Sequence, residues 1–166
     1  MNLHPIFVHF PIALLTIYGL AELVRAKKLL AAGYWFYLKA ILVILGTLSA
    51  LPTLLSGKAI EDLFSEQLVQ IHSSYALATT ILFALISISY LVSWIDKDFY
   101  LVIKNIDSWR NVSQLNKNIF RSRVLVLLAL IGLGMISITG ALGGIIAFGP
   151  NVDPLSQFVN GLFFGK

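Results

Sequence analysis

Residues Val124 to Phe148 read VLVLLALIGLGMISITGALGGIIAF, a run of 25 positions without a formal charge. A helix needs about 20 apolar residues to cross the hydrocarbon core of a bilayer. Barrel strands alternate polar and apolar positions and last only about ten residues, so they do not produce such a run. The stretch therefore predicts a transmembrane helix, and three similar stretches precede it. Leu3 to Ala21 carries no charge, Ala40 to Ser56 carries none and reaches back to Tyr34 if Lys39 snorkels, and Ile71 to Ile95 is clean. The predicted fold class is all-α, an integral membrane four-helix bundle running up-down-up-down. Its spans fall at about 3–22, 34–56, 71–95 and 124–148, within a domain covering 1–148 and followed by a tail over 149–166.

Composition agrees. The chain has 166 residues, 58% hydrophobic and 12% charged, with a mean hydropathy of +0.86, against roughly 25% charged residues in an average soluble domain. A single water-soluble globule is excluded. With no Cys, disulfide frameworks, thiolate metal sites and Cys nucleophiles are excluded too. The excess of 12 Lys and Arg over 8 acids follows from cytoplasmic loops and does not call for a nucleic-acid partner.

The charges also orient the spans. Arg25, Lys27 and Lys28 follow the first, and Lys97, Lys104, Arg110, Lys117, Arg121 and Arg123 lie between the third and fourth. By the positive-inside rule both loops are cytoplasmic. The middle loop carries Glu61, Asp62 and Glu66 against Lys58, and the tail only Asp153 and Lys166. Both termini then face the exterior, which is the periplasm if the host is Gram-negative. The first span lacks a positive n-region and has its cations after the apolar run, so it reads as a retained span and not as a signal peptide. In the loop 96–123 the apolar residues Phe99, Val102, Ile103, Ile106, Trp109, Val112 and Ile119 recur at helical steps, predicting an amphipathic helix at the membrane surface.

Three His residues all fall near the outer face: His4 and His9 at the start of the first span and His72 at the start of the third. First and third helices of such a bundle are commonly diagonal, and neutral imidazole is a ligand for haem iron. If His9 and His72 project inward at matching depth, they clamp a b-type haem, with His4 beside its propionates. The plainer alternative is that these imidazoles bond backbone carbonyls or sit solvated at the interface. Pro11 in the first span releases the carbonyl of Phe7, which protein or water must satisfy because lipid cannot. Gly140, Gly143 and Gly144 in the fourth span allow close helix packing, within the bundle or against a partner.

Glu22 sits at the inner end of the first span, where Arg25 one turn later is the expected partner. With no acid deeper in a span, a proton-coupled carrier is disfavoured. The segment Leu45-Gly46-Thr47-Leu48-Ser49 resembles Leu133-Gly134-Met135-Ile136-Ser137, which suggests two duplicated hairpins side by side.

The opening His4-Pro5-Ile6-Phe7-Val8-His9-Phe10-Pro11-Ile12-Ala13-Leu14 resembles the His-Pro-x-x-Val-His-Phe-Pro-Ile-Ala signature of a family of bacterial four-span membrane proteins of unknown function. The resemblance extends to His72 and to Leu142-Gly143-Gly144. It implies association with membrane redox systems. The family commonly continues to a His-Gly pair where this chain has Phe148-Gly149-Pro150-Asn151. Two readings of function follow. One is a haem b electron-transfer subunit of a larger membrane complex, with His9 and His72 as ligands. The other is a cofactor-free structural or assembly subunit of a membrane complex.

Overall fold

The computed structural model describes residues 4–61 and 67–165, with side chains over 7–58 and 67–165. Among the described residues every regular element is helical: α1 (His4–Leu23), α2 (Lys27–Ala31), α3 (Gly33–Glu61), α4 (Gln67–Asp98), α5 (Tyr100–Ile103), α6 (Asp107–Ile119), α7 (Ser122–Phe148) and α8 (Pro154–Phe164). Three are long and apolar enough to cross a membrane: α3 over Gly33–Lys58, α4, and α7. The apolar α1 is 20 residues long. The outer-loop acids Asp62 and Glu66, and the side chains of His4 and Glu61, lie outside the described residues.

The long helices pack as a closed ring in which α1 touches α3 and α7, and α4 touches α3 and α7. Every neighbouring pair is antiparallel. Along α1 and α3 the facing positions run from Glu22 and Lys39 through Leu15 and Gly46 to Phe7 and Thr53. Along α4 and α7 they run from Phe83 and Gly132 to His72 and Thr139.

Glycines make these approaches possible. A Cβ added to Gly46 would stand 2.6 Å from Leu15, one on Gly132 2.5 Å from Phe83, and one on Gly19 2.7 Å from Leu133. Lipid tails give apolar helices no hydrophobic reason to associate, so close backbone packing and interhelical hydrogen bonds hold such a ring. The bond between Thr47 Oγ1 and Ser87 Oγ, 2.9 Å and buried, ties α3 to α4. Tyr18, fully buried, sets its ring edge-on to both Phe83 and Tyr90.

The contacts repeat between the two hairpins. Leu15 on Gly46 corresponds to Phe83 on Gly132, and Gly19 against Leu133 to Ser87 against Thr47. Leu15 to Phe83 and Gly19 to Ser87 are each 68 positions apart; Gly46 to Gly132 and Thr47 to Leu133 are each 86 apart. The packing thus gives Gly132 as the counterpart of Gly46, where the sequence likeness offers Gly134.

Pro11 has the consequence expected of it. Thr53 Oγ1 of α3 donates to the Phe7 carbonyl at 3.0 Å, so the acceptor released by proline is satisfied across the hairpin.

The segment 96–123 departs from the predicted single apolar face. It breaks at extended Ile106 into α5 and α6. The face of α6 that meets α4 is polar: Trp109 Nε1 donates to Asp96 Oδ1 at 2.8 Å, Ser113 donates to the same carboxylate, and Lys117 pairs with it at 2.9 Å. Asn116 Nδ2 donates to the Ser89 carbonyl and to Ser93 Oγ. Val112, Leu115 and Ile119 form a separate exposed stripe. A half-buried carboxylate draws its donors from the facing helix, so Asp96 sets the roll of α6.

At the other end Gly149, with φ of 91°, stops α7. Asp153 caps α8, accepting from the Ser156 N–H at 2.9 Å and from its hydroxyl at 2.7 Å, with Pro154 in the first turn. α8 folds back on α7, burying Val159 and placing Phe163 edge-on to Tyr75. Of the tail aromatics, Phe163 packs on the protein and Phe158 stays exposed.

Candidate functional site

His72 belongs to the contact between α4 and α7. Its Nδ1 lies 3.1 Å from the Thr139 carbonyl, and a Cβ on Gly143 would stand 3.3 Å from its Cε1. Gly143 therefore makes room for an imidazole edge.

His9 lies elsewhere. α1 packs through Pro11, Leu15, Tyr18 and Glu22, all buried. At about 100° per residue, His9 is turned some 160° from Pro11, and it is exposed. Because α1 and α4 are not neighbours in the ring, two imidazoles on them can share a ligand only if both aim at the interior. His72 aims at α7 and His9 outward, so these residues do not fit the expected haem clamp. Among the described residues, no group of three or more His, Asp or Glu could hold a metal ion.

The glycines divide by use. Gly144 faces α8, with Ser156 Oγ 3.4 Å from an added Cβ, whereas Gly140 and Gly134 have nothing within 4 Å and are exposed. The expected Gly140–Gly144 ridge is thus split, because α8 covers Gly144. The open row is Gly134, Ser137 and Gly140, at three-residue steps on α7.

The densest polar chemistry is at the opposite end from His72. Glu22 is 2% exposed, and Lys39 Nζ reaches its Oε2 at 2.9 Å. Tyr90, itself buried, donates to the same oxygen at 2.6 Å. The expected partner Arg25 instead donates to Ser122 Oγ at 3.0 Å, tying α1 to α7. The difference has a geometric cause: Arg25 lies past the end of α1, while the antiparallel hairpin brings Lys39 level with Glu22. Removing one partner of such a buried pair is far costlier than losing a surface pair. Beside the pair is a cavity of about 190 Å³, lined from all four long helices.

Comparison with protein-family models, with curated proteins and with solved structures returns no match. The reading of function therefore rests on this chain's own residues.

Proposed function

We propose that the chain is a four-span, up-down-up-down bundle of the bacterial inner membrane, with both ends of the chain outside, working as a structural or assembly subunit of a larger membrane complex. The carrying observation is the contrast between filled and open glycines. Inside the ring, Gly19, Gly46 and Gly132 are each occupied by a neighbour's side chain, while Gly134 and Gly140 present bare backbone on the surface of α7 with Ser137 between them. Small residues on a lipid-facing row allow another transmembrane helix to approach closely.

Other features support the membrane reading. A 20-residue α1 rises about 30 Å, enough for a fourth span. Arg25, Lys27, Lys28, Lys97, Arg121 and Arg123 all fall at the end of the ring where α1 and α4 finish and α7 begins, as the positive-inside rule asks of a cytoplasmic face. The haem reading is the less favoured of the two because His9 and His72 diverge.

Because the chain has no Cys, a single introduced thiol tests the interface cleanly. Ser137→Cys in native membranes should cross-link to a partner, or shift in mass, far more than Leu91→Cys on the exposed face of α4. Gly140→Leu should abolish the adduct. Equal and low cross-linking at both positions would sink the assignment.

A further inference from the structure

The Glu22 cavity combines features that the subunit reading leaves unused. Both bonds to Glu22 go to Oε2. Oε1 accepts no bond from a described residue, and Glu22 lines the cavity. Lys39, 12% exposed, also lines it and directs one of its three N–H donors to Glu22. Ser89 is 2% exposed, lines the same space, and its hydroxyl makes no bond among the described residues. Phe36, stacked on Tyr90, and Leu125 add apolar wall. The cavity thus presents a carboxylate oxygen, spare ammonium donors and a serine hydroxyl side by side, each with hydrogen-bonding capacity left for a guest.

The guest's chemistry follows from the pair. Glu22 and Lys39 neutralise one another, so a ligand of a single charge gains at one member what it loses at the other. A ligand carrying both signs on adjacent atoms meets Glu22 Oε1 with its cationic donor and the spare Lys39 N–H groups with its anion, making charge-assisted bonds on both sides. Roughly six waters, at about 30 Å³ each, would fill 190 Å³, which limits the guest to a small head. α6 is tied to the same stretch of α4, since Asn116 bonds the Ser89 carbonyl and Ser93 Oγ, and both serines line the cavity.

We propose that the cavity among Glu22, Lys39, Ser89 and Tyr90 binds a small zwitterion that pairs a primary ammonium with a carboxylate or phosphate. This site is independent of the α7 row, so either proposal can fail without the other. Free amino acid and ethanolamine-lipid headgroup share this chemistry.

The test uses full-length protein in nanodiscs of phosphatidylglycerol and phosphatidylcholine, neither of which has a primary amine. Ser93→Cys, the only thiol, is labelled with a small methanethiosulfonate reagent while glycine, β-alanine or O-phosphoethanolamine is added. Saturable protection by at least one of these, severalfold and absent with ethanolamine, acetate or glycerol, is expected, and Glu22→Gln in the same background should remove it. A rise in Tm with the same ligand, lost in Ser89→Ala, gives a second readout if Glu22→Gln folds poorly. Discs containing phosphatidylethanolamine distinguish the source: protection there without added ligand assigns the lipid headgroup, and protection only by free compound assigns the solute. No protection in either disc, or equal protection by the singly charged and neutral probes, overturns the proposal.

Discussion

The hairpin of α1 and α3 and the hairpin of α4 and α7 pack alike and carry different chemistry. Shifts of 68 and 86 positions superpose their glycine contacts, and the same shifts pair Glu22 with Tyr90, Lys39 with Leu125 and Phe36 with Ser122. All six line the cavity. The first hairpin supplies the ions and the second the hydroxyls, so a symmetric frame holds an asymmetric site. The same shift pairs His72 with position 4, occupied by His4, and His9 with Leu77, which is 52% exposed. Position 9 is an outward position in both halves.

The largest expected effect comes from breaking the asymmetry. Lys39→Met leaves Glu22 buried and unpaired and should cost about 3–5 kcal/mol, whereas Leu125→Met at the equivalent position should cost less than about 1.5 kcal/mol. Unfolding in mixed micelles measures both, and Glu22→Gln with Lys39→Met should recover most of the loss. Equal effects at 39 and 125 would mean that the charge is not the difference between the halves.

The two glycine sockets should instead behave as a pair. Gly46→Ala and Gly132→Ala each force a side chain aside and should each cost about 1–3 kcal/mol, while Gly134→Ala meets open space and should be neutral or gain up to about 1 kcal/mol from helix propensity. A Gly132 value resembling that of Gly134 would break the repeat.

Smaller again are the imidazoles. His72→Ala removes the bond to Thr139 and should cost about 1 kcal/mol, and His9→Ala is the parallel substitution on α1. An absorption spectrum adds a sharper check, since a Soret band abolished by either substitution would restore the haem clamp.

The smallest effect concerns α8. Hydrogen bonds from Ser156 hold the Asp153 carboxyl below its usual range. A lowered pKa means that the cap contributes fully above about pH 4 and is lost as the pH falls through the folded value. Proteolysis of the tail should accelerate only in that acid range, and Asp153→Asn should flatten the dependence.

The long helices were readable because uninterrupted apolar length is a one-dimensional property. Val124 to Phe148 needs no partner to declare itself, and the released Phe7 carbonyl is local covalent logic. What escaped the sequence was azimuth. His9, Gly140 and Gly144 were placed correctly along their helices and not around them, since a span apolar on every side gives no moment to fix its rotation. Glu22 was misassigned to Arg25 for a related reason: its partner lies 17 positions away across a hairpin, where local spacing rules do not reach. The polar face of α6 was visible in Trp109, Ser113 and Asn116 only once Asp96 was known to be what they address.

Each end of the ring carries a short helix of its own chain, α8 on α7 and α6 on α4, and the two are fastened by different means. α8 turns on Gly149 and rests largely on apolar contacts around Val159, while α6 is moored through the Asp96 carboxylate, with Lys117 two-thirds exposed. Electrolyte screens the second attachment and strengthens the first if it does anything. Rising ionic strength should therefore loosen α6 from α4 on the side of Glu22 while α8 stays seated on the side of His72, so salt alone tells the two ends apart.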